Sequence, residues 1–170
     1  MFLHKTPILV QKLFPSLTWR VSTQAKELYL TFDDGPIPGL TPWVLETLAR
    51  YEAKATFFCV GHNVEKHPNI LGQILAEGHS VGNHTFHHLN GWQTEATTYL
   101  KDSLKADEAM AEYVQTGLFR PPYGRLTLKQ RQQHRHQKIV MWDVLSGDFS
   151  PKLKPEAVLS NSIAATRSVS

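Results

Sequence analysis

Short apolar runs of strand length recur along the chain, and between them apolar residues fall every three to four positions, the spacing of a helix face. Residues 28–32 form the first such run. Thr41 and Pro42 then supply an N-cap and a first-turn proline, and Val44, Leu45 and Leu48 share a face, so a helix is predicted to about residue 52. KATFFCV, residues 54–60, is the second strand. Pro68 opens a helix in which Ile70, Leu71, Ile74 and Leu75 have helical spacing, and Gly78 closes it. HSVGNH is the third strand, followed by a long helix over residues 94–115 with Leu100, Leu104, Met110, Ala111 and Val114 inward. LFR is a short fourth strand. Thr127 and Gln130 have capping-box spacing before the next helix, KIVMWDVL reads as a buried fifth strand, and a last helix starts near Pro155. Strands alternating with helices in this way predict an α/β fold built on a mostly parallel sheet.

Composition narrows the class without changing that picture. A chain of 170 residues, 41% hydrophobic and 19% charged, is an ordinary globular domain. The formal charge of +3 is too small to argue for nucleic acid. The basic segment RLTLKQRQQHRHQK spreads its charges around a helix without interleaved aromatics, as a solvated face does. No stretch is long and apolar enough to span a membrane. The N-terminus, broken by Lys5, Pro7, Lys12 and Pro15, offers no clean leader. A soluble chain is therefore expected, and the cytoplasm fits that reading without being required by it. The single cysteine, Cys59, excludes an intrachain disulfide and sits in an apolar strand, where a packed thiol is expected.

The candidate chemistry lies in the loops after the strands, because parallel α/β folds gather the C-terminal ends of their strands in one place. After the first strand come Asp33 and Asp34, in TFDDG. Two adjacent carboxylates call either for plain solvation in an Asp-Gly-Pro turn or for a nearby cation. After the third strand comes HTFHH; were it one helical turn, His84 and His88 would share a face and His87 would point elsewhere. Two imidazoles and one carboxylate make a three-ligand set with an open position, the composition of a catalytic zinc site. After the fourth strand, RPPYG sets two rigid prolines beside Arg120, a candidate partner for the second aspartate. Asp143 and Asp148 follow the fifth strand.

TFDDG, HTFHH and RPPYG, in this order and strand context, resemble the polysaccharide deacetylase family, also called the NodB-homology domain or carbohydrate esterase family 4. The resemblance runs from about residue 28 through the last helix. It implies a distorted (β/α) barrel of fewer than eight units and a metal-dependent hydrolase that removes N-acetyl or O-acetyl groups from an acetylated oligo- or polysaccharide, such as an N-acetylglucosamine glycan. Carried over position by position, it makes Asp33 the catalytic base and Asp34, His84 and His88 the ligands of a divalent metal. Zinc comes first, and cobalt or nickel also suits the set. It further implies that Arg120 orients Asp33 and that the Tyr123 backbone N–H faces the oxyanion. Asp148 stands where the family tunes its general acid, with Phe149 in place of a tryptophan.

The family takes that acid from a histidine on its last strand. The chain has no histidine after His136 and ends in NSIAATRSVS, where that strand should begin. The expected organisation is thus an N-terminal extension over residues 1–26 and a deacetylase domain over 27–170 that lacks its last strand and leaves a sheet edge open. Two other readings stand beside the leading one: a non-catalytic metal- and sugar-binding module, and a hydrolase of a non-sugar amide. Trp43, Trp92, Tyr123 and Trp142 are candidates for stacking on sugar rings and equally for rim packing. The oligomeric state is not legible.

Overall fold

The computed structural model describes residues 3–25 and 27–167. In chain order its elements are α1 (Ile8–Leu13), β1 (Leu30–Gly35), α2 (Leu40–Arg50), β2 (Ala55–Cys59), α3 (Gly61–Lys66), α4 (Pro68–Ala76) and β3 (Ser80–Asn83). They continue with α5 (Ala96–Met110), β4 (Leu118–Phe119), α6 (Leu128–Gln133), β5 (Lys138–Ile139) and α7 (Pro155–Arg167). Two compact units emerge, residues 23–140 and the described residues up to Ser22 together with those from Met141 onward.

The larger unit holds the whole sheet, five parallel strands in the order β1-β2-β3-β4-β5. This is the α/β frame of the expected distorted barrel. Its core packs Leu45 and Leu48 of α2, Phe57 and Cys59 of β2, Leu71 and Ile74 of α4, Val81 of β3 and Met110 of α5. Apolar burial of this kind stabilises by roughly 25 cal/mol per Å² removed from water. Cys59 is fully buried there, and burial pushes its thiol up to about 12, so it packs rather than reacts.

Several elements differ from their sequence patterns for identifiable reasons. The run KIVMWDVL contributes only Lys138 and Ile139 to the sheet, because its neighbour β4 ends at Phe119. Beyond Arg120 come Pro121 and Pro122, which have no N–H to extend a ladder. The long helix is Ala96–Met110, and its buried stripe is Ala96, Tyr99, Asp102, Ser103, Ala106 and Met110. Leu104 is left outside. The face is chosen by close approach: a Cβ on Gly61 of α3 would stand only 2.9 Å from Ala106 Cα, so small residues must meet there. Helix α3 itself carries only Gly61 and Val64 as buried residues over six positions, too little for a periodic signal. The capping box forms as the spacing predicted, with Thr127 Oγ1 accepting from Gln130 N and Gln130 Oε1 from Thr127 N.

One buried titratable group gives this unit a pH signature. His134 stacks on Phe119 with ring centres 4.2 Å apart and donates from Nδ1 to Gln130 O at 2.8 Å. Burial pushes its imidazole below the usual histidine range, despite opposing pulls from the Gln130 carbonyl and Asp107. The unfolded chain therefore binds a proton near pH 6.5 that the native ring refuses. Its contribution to stability is complete above that value and is lost as pH falls toward the native pKa. The Asp107 carboxyl is pushed up, mainly by burial, so its own contribution has the opposite sign and lies at lower pH. In urea titrations across pH 7.5 to 5.5, His134→Leu is expected to flatten the fall in stability; an unaltered pH slope would contradict this.

In the smaller unit Lys5 bridges Val144 in antiparallel fashion, and Thr6 Oγ1 donates to Trp142 O at 2.7 Å. The His4 ring contacts Leu145 O from Nδ1 and Asn161 Nδ2 from Nε2. Among the described residues no helix is long and apolar enough to cross a membrane.

Candidate metal centre and its flanking carboxylate

The two adjacent aspartates are separated by a bulge at the end of β1. Asp33 pairs with Phe58 and Gly35 with Cys59, so Asp34 is the extra residue between them, held at φ 68°. An extra residue in a strand re-aims side chains, and here the two carboxylates find different partners. Asp34 Oδ1 lies 3.1 Å from His88 Nε2 and 3.5 Å from His84 Nε2. Asp33 Oδ1 accepts from Arg120 Nη1 at 2.8 Å.

The histidines reach Asp34 by a route other than the expected helical turn. His84 leaves β3 and the chain then bends, with Thr85 at φ 60° and His88 at φ 56°. Leu89 N donates to Thr85 Oγ1, closing the bend. Non-glycine residues in this region cost on the order of 1–3 kcal/mol each and persist only where the surroundings over-determine them. The left-handed conformers reverse the chain where a helix would have advanced it, yet the two imidazole rings still converge, 5.1 Å apart. One ligand atom each from Asp34, His84 and His88 falls within 4.8 Å of the others.

This donor set fits a divalent cation. His84 Nδ1 lies 2.7 Å from Arg120 O, an acceptor, so the ring's proton sits on Nδ1 and the Nε2 lone pair faces Asp34. Burial lowers the His84 pKa, against the pull of Asp33 and Asp34, which keeps the ring neutral and able to ligate. The hydrogen bond from His88 holds the Asp34 carboxyl below the usual carboxylate range, so it is ionised. Asn63 Nδ2 donates to Asp34 O at 2.8 Å and fixes the backbone that carries it.

Arg120 is the common support. Its side chain is buried and donates from Nη1 to Thr31 Oγ1 at 2.7 Å as well as to Asp33, and from Nε to Val140 O at 3.1 Å. The guanidinium lies over the Phe58 ring, 4.2 Å from its centre. Burial pulls its pKa down and Asp33 opposes this. Thus one residue orients Asp33 through its side chain and His84 through its carbonyl. Pro122–Gly124 forms a 3-10 turn, with Tyr123 at φ 59° and its ring edge-on to His88 at 4.7 Å.

His87 turns onto Asp102. Its Nδ1 lies 2.5 Å from Asp102 Oδ1, while Asp102 Oδ2 accepts from the Phe86 and His87 N–H groups. The sequence signal for Asp102 was a carboxylate inside the inward stripe of α5, obscured because the leucines suggested a different face. A cleft of about 290 Å3 is lined by Asp34, Val60, His62, Asn63, Phe86, His87 and His88. Thr31, His62 and Asn63 are singled out by no motif and were not among the expected residues. Asp143 and Asp148 lie in the smaller unit, where Asp143 Oδ1 accepts from Gln11 Nε2 and Asp148 Oδ1 accepts from Ser146 Oγ.

The chain is similar to known proteins. The polysaccharide deacetylase family model matches residues 20–142. A peptidoglycan-N-acetylglucosamine deacetylase of Bacillus cereus is 41% identical over 109 residues, 64% of this chain and 51% of the relative. The peptidoglycan-N-acetylmuramic acid deacetylase PdaC of Bacillus subtilis is 36% identical over 141 residues, 81% of this chain and 30% of the relative. The chain thus spans about half or less of the length of these curated relatives. The crystal structure of the Bc1960 peptidoglycan N-acetylglucosamine deacetylase superposes with a TM-score of 0.84 at 30% identity, over 94% of this chain and 76% of that one. With its sheet, its three motifs and a family match over most of its length, the chain belongs to the polysaccharide deacetylase family.

Proposed function

We propose that this chain is a divalent-metal-dependent hydrolase that cleaves the acetamide of N-acetylhexosamine units in a peptidoglycan-type glycan. The observation that carries this reading is the pairing of a three-donor cluster, Asp34, His84 and His88, with a separate carboxylate, Asp33, braced by a buried arginine. A binding module has use for the cluster but none for the braced carboxylate beside it. The named activities of the Bacillus relatives support the substrate class.

A cation at the cluster, zinc being the one its nitrogen and oxygen donors suit best, supplies Lewis acidity toward water and a carbonyl oxygen. The protein's own groups account for the rest. Asp33 is the base: Arg120 occupies Oδ1, and Oδ2 takes a proton from the attacking water. A carbon–oxygen bond forms as the carbonyl π pair moves onto oxygen; when that pair returns, the carbon–nitrogen bond breaks, and the proton held at Asp33 is at hand for the nitrogen, which must depart as an amine. The Tyr123 backbone N–H is assigned to the developing oxyanion, and Arg120 to positioning Asp33. Residues 27–170 are the proposed catalytic domain and residues 1–26 its extension.

The test is acetate release from an N-acetylglucosamine pentamer and from isolated peptidoglycan strands, with zinc and after chelation. Release that chelation abolishes and zinc restores, with one zinc bound per chain by calorimetry, is the expected result. Asp34→Ala should lose the zinc heat. Zinc and pentamer binding without acetate would move the protein to the binding-module reading, and release indifferent to chelation would remove the metal.

A further inference from the structure

The rim beside His88 carries two large rings that the chemistry assigned above does not use. Tyr123 meets His88 edge-on, and the Arg125 guanidinium lies 5.9 Å from the Tyr123 ring centre and 5.1 Å from that of Trp92. One guanidinium therefore bridges the two aromatics. Both remain open to solvent around it, Tyr123 58% and Trp92 66% exposed. Exposed aromatics next to a polar site are the usual signature of a surface that receives something.

The shelf is fixed from below. Gln130, fully buried, donates from Nε2 to Gly91 O at 2.9 Å and to Thr94 O at 3.0 Å, clamping both sides of Trp92. Trp92 N donates to Asn90 Oδ1 at 3.1 Å, and Trp92 Nε1 to Leu126 O at 3.3 Å. Gly91 leaves no room for a side chain, since a Cβ there would stand 2.2 Å from Arg125 O. The loop bearing Trp92 and the segment bearing Arg125 are thus packed backbone to backbone. A rigid platform loses little entropy when a ligand settles on it. A residue retained for packing alone would bury its ring, and Trp92 does the opposite.

We infer that Tyr123, Arg125 and Trp92 form a subsite for the sugar next to the one whose acetamide faces Asp33 and Asp34, with Trp92 stacking on the sugar's C–H face. This rests on the hydrolase reading for the identity of the neighbouring sugar. A pyranose ring offers an apolar face bordered by hydroxyls; an indole matches the face and a guanidinium donates to the border oxygens. The occupant is a further unit of an N-acetylhexosamine chain, and the subsite makes the protein a reader of chain length.

The test compares the N-acetylglucosamine pentamer with the dimer on the full chain. Metal-free calorimetry measures binding, and acetate release with zinc measures turnover. The wild-type chain is expected to favour the pentamer. Trp92→Ala should weaken pentamer binding about five- to tenfold, with Trp92→Phe recovering most of it, as expected for loss and partial return of a stacked ring. Arg125→Gln, which takes the guanidinium from both rings, should shift binding the same way and serves if Trp92→Ala loses its cooperative thermal transition. Equal pentamer affinity in wild type and Trp92→Ala, or a wild type blind to length, overturns the subsite. Trp92-dependent binding without acetate release keeps the subsite and removes the hydrolase reading; acetate release independent of Trp92 does the reverse.

Discussion

Replacing Asp33 with asparagine is expected to lower kcat for acetate release by about 10²- to 10⁴-fold, the usual loss on removing a general base. The change is nearly isosteric, and the amide oxygen can still accept from Arg120 Nη1, so the side chain keeps its place. What disappears is the charge and the capacity to hold a proton. The proposed metal ligands are Asp34, His84 and His88, so zinc affinity should stay within a few-fold, a small effect beside a general-base loss of that order. The two readouts separate the adjacent aspartates: Asp34→Asn should weaken zinc binding, and Asp33→Asn should stop chemistry with zinc in place. A kcat within tenfold of wild type for Asp33→Asn would remove Asp33 from the role of base.

Arg120→Met should damage both stability and turnover, and by more than its single contact with Asp33 implies. The guanidinium is buried and serves Asp33, Thr31 and Val140. Orphaned buried polar groups cost about 1–3 kcal/mol each, so a loss on the order of 3 kcal/mol in unfolding free energy is expected. The Asp33 carboxylate is itself about a third exposed, 32%, so water takes over part of its solvation and the loss is not that of a wholly buried ion pair. The Arg120 carbonyl survives the substitution, so His84 retains its orienting acceptor and zinc still binds. Arg120→Lys should recover little, because one ammonium cannot reproduce a planar fork that serves three acceptors. Urea unfolding measures the stability change, and kcat at saturating zinc measures the positioning. Full activity in a destabilised Arg120→Lys would make Arg120 a structural residue only.

The parts of this fold that the sequence made legible are those where a local rule and the tertiary packing agree. Pro68 opens α4, the Thr127 and Gln130 box opens α6, and the apolar runs of β2 and β3 form strands, because nothing in the packed molecule competes with those local preferences. The inward face of α5 was read correctly at Met110 and misread at Leu104, because packing against Gly61 favours the small Ala106 over a larger leucine. KIVMWDVL looked like a long strand because its apolar residues are real, but a strand needs a neighbour, and two prolines end that neighbour early. At the site, the residue types and their order were legible while the geometry was not. The separation of Asp33 from Asp34 depends on a bulge, and the meeting of His84 with His88 on two left-handed residues, and neither feature leaves a mark in composition or periodicity.

Those left-handed residues also bear on which sequences this family member can explore. Asp34, Thr85, His88 and Tyr123 all have φ between 56° and 68°, a region that glycine, asparagine and aspartate enter most readily and β-branched residues resist. At position 34 the backbone therefore screens substitutions before any chemistry is tried. Glutamate offers the same carboxylate, yet it must reach the cluster from a longer stem and a less tolerant backbone. Mutational drift at this position is channelled toward asparagine and glycine, each of which spares the bulge and removes the carboxylate. A lineage can lose the ligand here while keeping its fold, and can regain it by one return step to aspartate.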